Sequence, residues 1–112
     1  MKILEIVKAL DLLVVAGHNS IDTDAGGVYI CDLLSWVMSH AQRRDIWITV
    51  QSNINIVAIA SLLELACILI PEDIKVDDVT VKKADEKGVV ILSSSMNSYT
   101  LGVKLSEILK CE

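Results

Sequence analysis

Phenylalanine is absent from this chain of 112 residues, and aromatic residues make up only 4% of it. The core must therefore be built from Ile, Leu, Val and Ala, a composition common where parallel strands are buried on both faces. Proline occurs once, at Pro71, where it ends the longest apolar stretch, Ile54 to Ile70. Asn55, Ser61 and Glu64 interrupt that stretch, so it is too short and too broken to span a bilayer. The three cysteines, Cys31, Cys67 and Cys111, form no CxxC and no zinc spacing. Cys31 and Cys67 sit in apolar runs and are expected as buried small hydrophobes, and Cys111 as exposed. Unpaired thiols fit a reducing compartment. Positive charge is also in short supply, with 10 Lys and Arg against 15 Asp and Glu, a net charge of −5. That balance argues against non-specific nucleic-acid binding and against docking on anionic membranes. It leaves room for a phosphate held locally at a helix N-terminus. The first residues are apolar, but Glu5, Lys8 and Asp11 break them as no signal peptide would. A cytoplasmic location is the expectation.

Apolar residues make up 53% of the chain, enough for the core of one domain over residues 1–112. Periodicity alternates between helix and strand. Ile3, Ile6, Val7 and Leu10 mark a first helix, and Leu12 to Ala16 a strand ending at Gly17. Residues 17–25 form a polar loop, and Gly26-Gly27 opens a strand over Val28 to Cys31. Asp32 is placed to cap a helix carrying Leu33, Leu34, Val37, Met38 and Ala41 on one side. Asp45 to Val50 reads as a strand. Asn53 or Asn55 caps a helix from about 56 to 65, and Cys67 to Ile70 is a buried strand. Residues 77–87 form a polar helix that ends with Lys82, Lys83 and Lys87 before Gly88. Val89 to Leu92 is a further strand, and Asn97 or Ser98 caps a last helix with Leu101, Leu105, Ile108 and Leu109. The order predicts an α/β fold, a single domain with a mainly parallel sheet and helices on both faces. Trp36 and Trp47 are expected in the core or at a subunit contact.

The helix Ile56–Ala66 has only Ser61 and Glu64 as polar residues. A helix that covers one sheet face should show a polar outer stripe. This one must be covered on both sides, which predicts a homodimer formed through it. The alternative is a helix enclosed within a three-layer monomer.

Two stretches are candidates for chemistry. The loop at 17–24 sets His18, Asp22 and Asp24 as H-x3-D-x-D, which could hold a divalent metal and resembles the first motif of manganese-dependent pyrophosphatases. His40, beside Arg43 and Arg44, is the one other histidine, so a two-metal site lacks ligands and a solvated turn is the plainer reading. The second stretch, residues 24–38, carries Gly26-Gly27 before a strand. It is neither a P-loop nor a dinucleotide fingerprint.

That second stretch is similar to the signature of DRTGG domains. The turn is written Asp22-Thr23-Asp24-Ala25-Gly26-Gly27, followed by Val28-Tyr29 and Asp32-Leu33-Leu34-Ser35. Residues 45–51, residues 55–63 and Val89 to Ser94 resemble later blocks of the family, so the likeness spans nearly the whole chain. The Arg and Thr of the family name are replaced here, with Thr23 and Ala25 at about those places. The resemblance implies a dimeric α/β domain without catalytic activity of its own. Such domains occur between CBS modules of nucleotide-controlled pyrophosphatases, in some phosphotransacetylases, and alone, some associated with iron-hydrogenase gene clusters. No cofactor and no metal are implied.

In open parallel sheets, ligands bind beyond the carboxyl ends of the strands, near the switch in strand order. The segments leaving those ends carry Gln51, Asn53 and Asn55, and Ser94, Ser95 and Asn97. These suit a small anionic ligand, a nucleotide included, though the same residues serve as ordinary caps and loop fillers. The expectation is thus a non-catalytic regulatory or accessory domain that binds such a ligand or a partner protein. The alternatives are a small metal-dependent phosphohydrolase using the 18–24 loop, and a purely structural dimer.

Overall fold

The computed structural model describes residues 1–110, and Cys111 lies outside the described residues. Strands β1 (Leu13–Ala16), β2 (Gly27–Ile30), β3 (Asp45–Ile48), β4 (Cys67–Ile70) and β5 (Ile91–Ser93) form one sheet. Helices α1 (Ile3–Leu10), α2 (Leu34–His40), α3 (Asn55–Leu63), α4 (Asp78–Lys87) and α5 (Ser98–Lys110) cover it. The strand order is β1-β5-β4-β3-β2. Strands β2 to β5 are parallel and adjacent in chain order, while β1 pairs antiparallel with β5. The α/β fold with helices on both faces is therefore as the alternating pattern predicts.

Side chains of the inner strands alternate between two cores, as a period of two requires. Ile46, Ile48, Cys67, Leu69 and Leu92 meet Ile3 and Ile6 of α1 and Leu101 and Leu105 of α5. Trp47, Ile68, Ile70 and Ile91 meet Val37 of α2, Ile56, Val57, Ile59 and Ala60 of α3, and Ala84 of α4. Each fully buried Ile or Leu stabilises the fold by about 1.5–3 kcal/mol relative to exposure. The crossovers β2–β3, β3–β4 and β4–β5 all carry their helices on one face, and α1 and α5 fill the other. No strand order reverses among the parallel strands, so the sheet has no switch point of the kind the sequence reading used to place a ligand.

The helix layer answers the question raised by the apolar 56–66 segment. Helix α3 is its middle member, packed against α2 and α4 on its flanks and against β4 beneath. The exposed residues of α3 are Asn55, Ala58, Ser61 and Leu62. Much of the cover that the sequence demands is thus supplied by the chain's own helices.

Several local expectations shift. Helix α2 begins at Leu34, with Leu33 at its cap position and no side-chain cap. The inward stripe is Val37, fully buried, with Leu34 and Ala41 partly buried beside it, while Leu33 and Met38 face outward. Leu33 precedes the helix, and Met38 is turned about 100° from Val37. Cys31 is only half-buried, because it follows the edge strand β2, and its Sγ donates to the Leu33 carbonyl at 3.8 Å. Trp47 is fully buried and its Nε1 donates to the Cys31 carbonyl at 2.8 Å. Trp36 is on the surface, stacked on His40 with ring centroids 3.9 Å apart.

Gly17 ends β1 with φ of +75°, and a Cβ there would lie 2.4 Å from the Val89 carbonyl oxygen. Its N–H donates to Asp85 Oδ1 at 2.8 Å. Only glycine combines that dihedral with that approach.

Candidate functional site

The six candidate ligand residues sit in two clusters above the carboxyl ends of the parallel strands. The first is organised by Asp32. Its Oδ1 accepts from Thr49 Oγ1 at 2.9 Å and from the Val50 N–H at 2.9 Å. The carboxylate therefore ties the segment after β2 to the end of β3, and does not cap α2 as its position before that helix suggests. It meets an N–H and a hydroxyl just past the last residue of β3, and hydrogen bonds to an ionised acceptor are among the stronger ones. Gln51 Nε2 donates to the Asp32 carbonyl at 3.1 Å, and Asn53 Nδ2 donates to Gln51 Oε1 at 3.1 Å. Asn53 Oδ1 in turn accepts from the Asn55 N–H at 3.0 Å, at the entry to α3. Of the two asparagines that could cap α3, Asn53 is the one that reaches an N–H.

The second cluster joins the ends of β4 and β5. The Ser94 N–H donates to the Ile70 carbonyl at 3.0 Å, and Ser94 Oγ accepts from the Met96 N–H at 3.0 Å. The N–H groups of Glu72 and Asp73 donate to the carbonyls of Met96 and Ser94 at 3.0 and 2.9 Å. Glu72 and Asp73 have φ of +59° and +55°, and the Ile74 N–H closes the turn on the Pro71 carbonyl at 3.3 Å. Positive φ at both central residues is the requirement of a type I′ turn, which Asn and Gly fill more easily. The strain is held by the two bonds to the β5 loop. Asn97 Oδ1 accepts from the Thr100 N–H at 2.9 Å and caps α5. Ser95 is exposed. Pattern reading passed over Thr49, Glu72 and Asp73, and only the H-bonding capacity of Thr49 beyond a strand end offered a signal for any of them.

Gln51, Asn53, Asn55, Ser94 and Asn97 thus each have a side-chain or backbone polar group engaged in holding their own loops. Among the described residues, no buried side-chain nitrogen or oxygen lacks a partner. Asn55 also opens onto a groove of about 380 Å³ between α3 and α4, where Val57, Ala58 and Leu62 form an apolar side and Lys83 and Lys87 supply cations.

The signature loop lies at the other end of the sheet. Its carbonyls meet the start of α1: Ile3 N–H donates to Thr23 and Leu4 N–H to Ile21, both at 2.9 Å. Two of the helix's free N–H groups are satisfied this way, which closes that terminus to an anion. Asp24 lies 4.0 Å from Lys2 Nζ and 3.7 Å from the N-terminal amine, and Asp22 is exposed. The Gly26 N–H donates to the Arg44 carbonyl at 2.8 Å. At Gly27 a Cβ would fall 2.8 Å from Asp45 Oδ1. The buried Asp45 carboxylate occupies that space and accepts from the Gln42 N–H at 2.8 Å. The Gly-Gly pair therefore admits a neighbouring carboxylate of the same chain. Of the five signature residues, Asp32 alone lies with the candidate ligand residues, while Asp22, Asp24, Gly26 and Gly27 do not.

His18 is exposed in a single 3-10 turn over His18–Ser20. Among the described residues, no three His, Cys, Asp or Glu side chains are arranged to hold a metal ion. The H-x3-D-x-D spacing does not fold into a ligand set. No helix among the described residues is long and apolar enough to cross a membrane.

Comparison with known proteins matches residues 5–108 to the DRTGG domain family. Among solved structures, the chain is similar to the CBS and DRTGG domains of the regulatory region of Clostridium perfringens pyrophosphatase, complexed with the activator diadenosine tetraphosphate. The TM-score is 0.74 at 13% identity, over 93% of this chain and 45% of that one. The chain thus spans less than half the length of that protein, and the likeness concerns the fold. No curated protein matches. With the fold and nearly its whole length in agreement, the chain belongs to the DRTGG domain family.

Proposed function

We propose that this chain is a non-catalytic, cytoplasmic regulatory domain that works as a homodimer and binds a small anionic ligand, a nucleotide among them, or a partner protein. The observation that carries the reading is the pairing of two polar loop clusters at the carboxyl ends of the parallel strands with a fold held by rigid internal bonds. Gln51, Asn53 and Asn55 on one side, and Ser94, Ser95 and Asn97 on the other, are the ligand-facing groups of this proposal. The groove beside Asn55 adds Lys83 and Lys87, whose charge would meet an anion. Two further observations support a regulatory role: membership of the family, and the regulatory setting of the structural neighbour. Association with iron-hydrogenase systems is an expectation of the same kind.

The test is calorimetric titration of the purified chain with ATP, ADP, AMP and diadenosine tetraphosphate, repeated on Asn55→Ala and Ser94→Ala. Saturable binding that weakens in either variant supports the reading. Absence of heat with every nucleotide, at concentrations up to the millimolar range, moves the role to protein partners.

A further inference from the structure

Among the described residues, strand β2 has a strand neighbour on one side only, β3, and its other side is a sheet edge. Its sequence, Gly27-Val28-Tyr29-Ile30, holds no Lys, no Pro and no acidic residue. Those residues are the usual means of blunting an edge. Its register with β3 runs unbroken from Gly27–Asp45 to Ile30–Ile48, so no bulge turns it aside. The opposite edge, equally free of such residues, differs in its register. Strand β1 shifts register between Val14 and Ala16, and the segment Asp73–Val76 lines a groove together with Leu13 and Val15.

Large apolar side chains stand exposed on both layers around β2. Toward α5, Ile30 is 50% exposed and Tyr99 79%. With Gly102 and Val103 they line a groove of about 460 Å³. Just past β2, at the start of the α2 layer, Leu33 and Trp36 are 63% and 51% exposed. An edge strand offers N–H and C=O groups that only another strand meets in register. Here the occupant must also bring an apolar helix layer on each side of that strand. The same edge of a second copy has both.

We infer that two copies join at β2, antiparallel and related by a two-fold axis, so that two five-stranded sheets continue as one. This rests on the dimeric reading above, and it places the contact at the sheet edge instead of the Ile56–Ala66 helix. Charge distribution favours that placement. The outer side of α4, next to α3, carries Lys82, Lys83, Glu86 and Lys87, so a two-fold contact centred there would desolvate charged groups. Strand β2, at the centre of such a contact, holds only Tyr29 as an ionisable group, with Tyr99 and Glu107 in the groove beside it.

The experiment is sedimentation velocity of the full chain over a concentration series, for wild type, Ile30→Lys, Tyr99→Glu and Leu62→Glu. Circular dichroism checks that each variant keeps its fold. The expected result is a wild-type mass of twice 12.2 kDa. Each edge variant should raise the dissociation constant by roughly tenfold or more, and Leu62→Glu should leave it unchanged. Amide exchange at residues 27–30 should slow as the protein concentration rises. If Ile30→Lys unfolds, Tyr99→Glu on the surface of α5 carries the test. Dissociation by Leu62→Glu with both edge variants still dimeric overturns the edge contact and leaves the dimer in place through α3. A wild type that stays monomeric at every concentration removes the dimeric reading itself.

Discussion

Asp32 and Thr49 face each other at 2.9 Å across the ends of two adjacent parallel strands, hydroxyl donating to carboxylate. The bond joins the loop that leaves β2 to the loop that leaves β3, and the Val50 N–H shares the same oxygen. Asp32→Ala removes both partners' acceptor. Because the carboxylate is exposed, the expected loss is about 1–2 kcal/mol, toward the lower part of the range for bonds to charged groups. Urea denaturation measures it. Thr49→Val should cost less, since Val50 keeps its acceptor.

The three glycines at Gly17, Gly26 and Gly27 should respond differently to alanine. At Gly26 a Cβ would meet Arg44 Cβ at 3.7 Å, an ordinary contact, so Gly26→Ala should change stability by no more than about 0.5 kcal/mol. At Gly27 the same change displaces the Asp45 carboxylate from its bond to Gln42, for a loss of about 1–3 kcal/mol. Gly17→Ala forces a Cβ against the backbone of Val89 at positive φ and should be the most damaging of the three. Thermal melts of the three variants order them directly.

Cys67 is fully buried in the α1–α5 core, and burial pushes its thiol up from 9.0 to about 12. The unfolded chain releases this proton near pH 9, and the folded chain keeps it to about pH 12. In that window the folded state binds more protons, so stability falls as pH rises, by up to about 1.4 kcal/mol per unit. Below pH 9 the contribution is fully present. Urea midpoints measured from pH 8 to 11 should fall less steeply in Cys67→Ala than in wild type. Equal slopes would show that another group governs the alkaline limb.

His18→Ala and Asp22→Asn should be silent, within about 0.5 kcal/mol in stability, since both side chains are exposed. Neither should alter retention of Mn²⁺ in a dialysis measurement. A wild type that retains the metal, with loss in Asp22→Asn, would restore the metal-dependent reading of the loop.

The strands were the most legible part of the sequence. Runs such as Cys67-Ile68-Leu69-Ile70 are apolar at every position because both sheet faces are covered, and few other structures tolerate that pattern. Helix α4 was equally plain, with its lysines gathered before Gly88, whose φ is +68°. What escaped was long-range. Asp32 precedes a helix and looks like a cap, yet its partners lie on another strand, and local pattern holds no record of that. Glu72 and Asp73 give no hint of left-handed backbone, since the bonds that hold them come from the loop after β5. The surface position of Trp36 was open for the same reason: a tryptophan in an apolar helix fits a core or a contact face alike. The candidate ligand residues follow the ends of β3 and β5, while their engagement in loop bonds depends on distances that spacing does not encode.

The antiparallel pairing of β1 with β5 has a consequence for how the chain reaches this fold. Leu13 finds its partner Ser93 roughly eighty residues further along, a large loop to close before that contact rewards it. During synthesis, β1 and α1 must wait until β5 and α5 have emerged. The parallel core of β2 to β4 can assemble first, and the earliest-made segment is then the last to be locked in place.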